Sequence, residues 1–124
     1  MDGLKYDDGK APLHLVDMDV LIDVANVFGY GAEKYAEHNW RKGMKITRLL
    51  NAAMRHIAEL QKGIDIDPES NHSHAAHTIA NLVMVSALLR DMPECDDRYK
   101  KIVKKEPKSK SDCDPTWQFD KKGN

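Results

Sequence analysis

Two stretches of apolar residues at helical spacing, parted by one glycine and one proline, constrain this chain more than anything else in it. Leu50, Ala53, Met54, Ile57 and Leu60 recur every three or four residues over roughly Thr47 to Lys62, which predicts an amphipathic helix ending at Gly63 in the C′ position. Ile79, Leu82, Val83, Val85, Leu88 and Leu89 repeat the pattern up to about Arg90. They cover more than one face, so this is predicted to be the most buried helix of the fold. Ser70 or Asn71 can cap its start, and Pro93 closes its end. Pro68 holds Asp67 in extended geometry, so the link between the helices is not helical throughout. A link this short folds them back antiparallel.

Upstream, Val20, Leu21, Val24, Val27 and Phe28 mark a further helix with Asp17 or Asp19 as its N-cap. Gly29 and Gly31 interrupt it, so residues 32–38 either continue it through a kink or begin a new turn; 39–43 reads as a connecting loop. Residues 1–18 look irregular, and no strand signal of any length occurs. The expected fold is all-α, a helical bundle around a central antiparallel hairpin over residues 1–92, with a charged, largely flexible tail at 93–124. From Lys100 onward Trp117 and Phe119 are the aromatic exceptions, suited to docking on this chain or a neighbour. Three helices leave apolar surface uncovered, so completion of the bundle by a homo-oligomer, dimer or tetramer, is expected.

Composition removes several function classes. Nineteen basic against twenty acidic residues give a net charge of -1, which argues against a protein that coats nucleic-acid polymers. No apolar run is long enough to span a bilayer, and Cys95 and Cys113 make neither a CxxC pair nor a disulfide framework. The reading is a reducing, cytoplasmic compartment. Lys34, Arg41, Lys42, Arg48 and Arg55 concentrate positive charge in the first half, which suits a small anionic ligand or ordinary solvated helix faces.

Chemistry gathers around the hairpin. His74 and His77 lie three residues apart on one side of a helix, with Asn81 one turn further on; His56 and Glu59 have the same relation on the facing helix. Antiparallel packing brings these turns level, and His56, Glu59, His74 and His77 then offer donors suited to Zn²⁺, Mn²⁺ or Mg²⁺ with water. Asp65, Asp67 and Glu69 alternate between the helices and form either a carboxylate comb above the helix ends or a turn and N-cap sequence. Asp67 is read as a metal ligand, Asp65 as structural, and His72 as solvent-facing. Arg55 either clamps a phosphate or pairs with Asp67 or Glu69. Further upstream, Lys34, Tyr35, Asn39 and Trp40 combine a cation, two aromatics and an amide; a base can stack on Trp40 or Tyr35, Asn39 can read its edge and Lys34 can reach a phosphate. Core packing is the competing role for both aromatics. Glu33 and Glu37 share a helix side and are either further ligands or exposed acids.

Taken as an ordered set, Lys5-Tyr6-Asp7 with Gly9-Lys10, Gly31-Ala32 with Lys34-Tyr35, Asn39-Trp40 with Gly43, Arg55-His56, Gly63, Asp67-x-Glu69-Ser70, His74-x-x-His77 and Asn81 resemble a family of small phage-encoded dATP/dGTP diphosphohydrolase domains, related to the all-α (MazG-like) nucleoside triphosphate pyrophosphohydrolases. The resemblance covers roughly residues 3–91. It implies hydrolysis of a purine deoxynucleoside triphosphate to the monophosphate and pyrophosphate with Mg²⁺ or Mn²⁺, in the cytoplasm of an infected bacterium. The coincidence of cations, carboxylates and imidazoles then suggests the roles: a metal on His56, His74 and His77 with Asp67 or Glu59, water oriented by Glu59 or Glu69, charge balanced by Arg55 and Lys34, and the nucleoside held by Tyr35, Asn39, Trp40 and Asn81.

The chain departs from the pattern at Ile64, where the family usually carries an acid, and at Asn71, where it carries glycine. Where the wider superfamily has paired ExxE and ExxD carboxylates, this chain has His56-x-x-Glu59 and His74-x-x-His77. Nucleotide binding without turnover is therefore the second reading, and a purely structural helical oligomer the third. A phosphohydrolase of the HD type is a poorer fit, because no adjacent His-Asp pair occurs.

Overall fold

A computed structural model describes residues 3–100. Trp117, Phe119 and the rest of the charged tail beyond Lys100 lie outside the described residues. Three α-helices carry the fold: α1 (Met18–Lys34), α2 (Ile46–Gln61) and α3 (His74–Asp91), with short 3-10 turns at Leu13–Leu15, Asn39–Lys42 and Pro93–Cys95. Among the described residues the only extended pairing is a single antiparallel bridge between Ile66 and Ser73. α3 packs against both other helices, most extensively against α2 in the expected hairpin.

Asp17 starts α1 by accepting the Val20 N–H at 3.1 Å. The helix then runs unbroken through Gly29 and Gly31 to Lys34. Each glycine weakens a helix by up to about 1 kcal/mol, but Val24 and Val27 on the preceding turns are buried against Ala76 and Ala80 of α3. That packing carries the helix past the weak spot. The expected loop at 39–43 is instead a 3-10 turn closed by Gly43 at φ 120°, where an added Cβ would meet Met92 and Cys95 at 3.3 and 3.4 Å.

The seam between α2 and α3 is offset from the stripe expected on α2. Ile46, Leu49 and Ala53 are buried, whereas Met54 and Ile57 are exposed. Continuing 46, 49, 53 by one more step reaches His56, so the apolar seam ends in an imidazole. On α3 the buried positions are His74, Ala76, Ala80, Asn81, Val85 and Leu88, more than on either other helix, as expected. Both helices therefore bring polar side chains to the same end of an otherwise apolar contact.

α2 stops in a Schellman arrangement: Gly63, at φ 87°, donates its N–H to Leu60 O at 2.9 Å, and Ile64 to Glu59 O at 3.0 Å. Neither Ser70 nor Asn71 caps α3. Ser73 does, accepting the Ala76 N–H at 2.9 Å. The helix starts late because Asn71 takes the left-handed conformation (φ 63°) and turns the chain before Ser73. At the other end, Met92 and Cys95 pack on the cluster of Ile46, Leu49, Val85 and Leu88. Asp97 then returns to the start of α2 and accepts the Thr47 N–H and hydroxyl at 2.9 and 2.6 Å. Leu21, Ile22, Leu82 and Val83 remain exposed.

Candidate functional site

The loop from Asp65 to Ser73 closes on itself before α3 begins. Asp67 N–H donates to His72 O at 2.9 Å, His74 N–H to Asp65 O at 2.8 Å, and Asn71 N–H to Asp67 O at 2.7 Å. The Asp67 carboxylate meanwhile accepts the Glu69 N–H at 3.0 Å and the Ser70 hydroxyl at 3.3 Å. The segment is thus a tight turn of the Asx type, not the extended comb. Asp67 alone of the three acids points to the histidines. Glu69 faces outward and pairs with Lys34 at 3.7 Å, and Asp65 contributes its backbone.

Three imidazoles gather next to that turn. The rings of His56 and His77 stack with centroids 4.4 Å apart and planes 7° from parallel, while His56 and His74 lie 5.0 Å apart with Nδ1 facing Nδ1 at 2.8 Å. One donor atom each from His56, Asp67 and His77 lies within 4.8 Å of the other two, so this trio is able to hold a metal ion. Two imidazoles and a carboxylate satisfy the chemistry of such a site.

His74 stands behind the trio. It is buried at 4 % exposure, and its Nε2 has no hydrogen-bond partner. The Nδ1 contact links the tautomers of the two rings. For His56 to ligate through its other nitrogen, its Nδ1 must carry the proton and donate to His74, which then carries its own proton on the orphaned Nε2.

Ser70 bridges Asp67 and His77, its Oγ lying 2.7 Å from His77 Nε2. Asp67 Oδ2 lies 3.6 Å from the same Nε2. A Ser-His-Asp triad needs the acid and the hydroxyl on opposite ring nitrogens, so these residues do not form one. Burial pushes the pKa of both His56 and His77 below the ordinary value, assisted by His74 for the first and by His56 for the second. Burial would push Asp67 up, but the Glu69 N–H, His77 and the Ser70 hydroxyl together hold it below the usual carboxylate range. At neutral pH the trio is therefore two neutral imidazoles and one carboxylate, the protonation state that ligation requires.

A cavity of about 830 Å³ opens from His77 along the groove between α1, α2, α3 and the 39–42 turn. Lys34, Tyr35, Asn39, Trp40, Arg55 and Asn81 all line it. The structure thus brings these six residues, each expected to contact a base or a phosphate, to one cavity, whereas Arg41 and Lys42 do not line it. Trp40 sits 6.1 Å from Phe28 and carries the Arg41 guanidinium 4.3 Å above its ring; Lys34 lies 5.7 and 5.6 Å from the Tyr30 and Tyr35 rings. Asn81 is buried and donates to His77 O at 2.9 Å. Arg55 makes no ion pair among the described residues and does not pair with the loop acids. Glu59 is bound to Lys62 at 3.1 Å and is not one of the converging donors.

Four further residues stand at the site without a specific role expected from the sequence. From the sequence Ser70 is a candidate helix cap, Arg48 is either a cation for an anionic ligand or a solvated one, Tyr30 carries no expected role, and His72 is expected in solvent. His72 instead packs edge-on to Tyr30 and His77 at 5.9 and 6.3 Å, because it belongs to the closed loop and does not follow helical phase. The offset of Arg48 from Arg55 by seven residues, placing both on one side of α2, was the signal available for Arg48.

The family model described as "dATP/dGTP diphosphohydrolase, N-terminal" matches residues 1–98. The chain belongs to this family. Among its relatives is a dATP/dGTP diphosphohydrolase of Salmonella phage PMBT28, 46% identical over 98 residues, which are 79% of this chain and 33% of that protein. The chain thus spans about a third of the length of this curated relative. No solved structure matches the chain. The family stretch extends past the resemblance at 3–91 to include the Pro93–Cys95 turn and Asp97. Among the described residues no helix is long and apolar enough to cross a membrane.

Proposed function

We propose that this chain hydrolyses purine deoxynucleoside triphosphates to the monophosphate and pyrophosphate, using a divalent metal held by His56, Asp67 and His77. The observation that carries this reading is the convergence of two imidazoles and a carboxylate within 4.8 Å of one another at His77, a residue that also lines the large cavity. The dATP/dGTP of the phage relative's name, read onto this chain, gives the substrate class. With two nitrogen donors and one oxygen donor, the trio suits Mn²⁺ or Zn²⁺ better than Mg²⁺, which favours oxygen ligands. When bound, such an ion neutralises phosphate oxygens and makes water more acidic.

The chain's own residues do the rest. Arg55 and Lys34 offset charge that develops on the phosphates as water adds to the α-phosphorus and the bond to pyrophosphate breaks. Glu69 faces outward and pairs with Lys34, so the proton of the attacking water passes to solvent. Trp40, Tyr35, Asn39 and Asn81 hold the nucleoside. The exposed Leu21, Ile22, Leu82 and Val83 belong, on this reading, to a contact with a second copy. The protein acts in the cytoplasm of an infected bacterium.

A second reading, nucleotide binding without turnover, has one observation in its favour: a single carboxylate among the converging donors. Incubating the purified protein with each dNTP and Mn²⁺, and resolving the products, separates the two. Release of monophosphate and pyrophosphate from dATP or dGTP is expected. Tight binding with no product would establish the second reading and end the first.

A further inference from the structure

We infer that Arg48 reads the N7/O6 edge of a purine base at the end of the cavity away from His77, an assignment that rests on the nucleotide reading above. Arg48 and Arg55 both line the cavity from α2. Seven residues apart, they share a side of the helix at separate levels, roughly 10 Å from each other along its axis. Arg55 adjoins His56, at the end where the donor atoms converge. Arg48 adjoins Leu49, at the end floored by Met44, Met84 and Trp40, which pack on the cluster of Ile46, Leu49, Val85 and Leu88. A nucleotide laid out with its phosphates against Arg55 and the metal ligands carries its base to the level of Arg48.

The chemistry of that end fits a base and not a second phosphate. Its floor is apolar and aromatic, which desolvates a polyanion at high cost but suits the faces of a purine ring. Asn39 supplies a carboxamide in the same wall. The two neighbouring guanidiniums differ: Arg41 is laid over Trp40 at 4.3 Å and bonded to His38 at 2.9 Å, whereas Arg48 makes no side-chain hydrogen bond or ion pair among the described residues. Arg48 is the side chain left with its fork free. Two parallel N–H donors match guanine O6 and N7. Adenine offers N7 alone to that fork and turns a donor toward it at N6, a pattern that the Asn39 amide matches instead. Pyrimidines have no N7. Arg48 therefore selects purines through N7 and prefers guanine through O6.

Equilibrium calorimetry with Mn²⁺ tests this, using the monophosphates dGMP, 7-deaza-dGMP and dAMP, with inorganic tripolyphosphate as a probe of the phosphate end alone. The unaltered protein is expected to bind 7-deaza-dGMP at least about fivefold more weakly than dGMP. In Arg48→Ala that difference disappears while tripolyphosphate affinity stays unchanged, and Arg48→Gln moves the preference toward dAMP. Arg48 is exposed, so neither substitution disturbs the core. A 7-deaza penalty equal in both proteins, or a tripolyphosphate affinity that falls in Arg48→Ala, overturns the assignment and leaves the nucleotide reading standing. If the unaltered protein binds none of the deoxynucleotides, both readings fall together.

Discussion

Replacing His77 by alanine separates a metal ligand from a ring that merely packs. Without metal, His77 makes one side-chain hydrogen bond, 2.7 Å to Ser70 Oγ, and stacks on His56 at 4.4 Å. Loss of a neutral hydrogen bond costs about 1 kcal/mol, and removal of a ring that is 12% exposed about 1 kcal/mol more. A loss of about 1–2 kcal/mol lowers the melting midpoint of a domain this size by roughly 5–15 °C. Metal changes the comparison. At a concentration about 100 times its Kd, an ion bound only by the folded state adds about 2.7 kcal/mol, or roughly 10–20 °C. His77→Ala removes one of three converging ligands and forfeits that increment, so the gap between the two proteins widens from about 1–2 kcal/mol in EDTA to about 4 kcal/mol in Mn²⁺. Differential scanning calorimetry at pH 7.5 reads all four midpoints. An equal metal increment in both proteins, or none in the unaltered chain at millimolar Mn²⁺, refutes the reasoning.

Two further perturbations probe the neighbours. His74→Phe keeps the buried volume while removing the orphaned Nε2 and the partner of His56 Nδ1; stability should stay within about 1 kcal/mol of the original, while Mn²⁺ affinity falls about 10- to 100-fold. Unchanged affinity by titration calorimetry would count against His74 orienting His56. Acidification should destabilise the metal-free protein in two stages. His56 and His77 have folded values pushed below the ordinary 6.5, so the unfolded chain takes up protons first; their contribution is complete above pH 6.5 and is lost as pH falls through the folded values. Asp67, held below its ordinary 3.8, adds a second loss of the same sign at lower pH. Denaturant unfolding across pH checks this, and the first stage should shrink in a His56→Ala, His77→Ala variant.

The hairpin was legible because its signals are local. Periodicity, Gly63 and Pro68 act within a turn or two of themselves, and they put His56 level with His74 and His77. Three features leave no periodic trace and are less legible. The stripe on α2 was placed on Met54 and Ile57, because spacing alone does not say which of two apolar edges faces α3; the buried edge is the one through Ile46, Leu49 and Ala53. The loop acids were legible as alternating charges, but their directions were not. Those follow from the left-handed Asn71 and from backbone bonds that close 65–74, neither of which leaves a periodic trace. The continuation of α1 through Gly29 and Gly31 likewise depends on Val24 and Val27 finding the small side chains of α3.

The converging donors all come from the stretch between His56 and His77, with the turn itself in the middle. The chain entropy lost in closing so short a loop is small compared with joining distant segments, and contacts of low sequence separation are the ones that form early and fast. The donor cluster is therefore expected to assemble with the hairpin, before α1 docks to complete the cavity. A cation held by His56, Asp67 and His77 would join residues of one hairpin, so added Mn²⁺ is expected to accelerate refolding, which stopped-flow measurement with and without the ion checks.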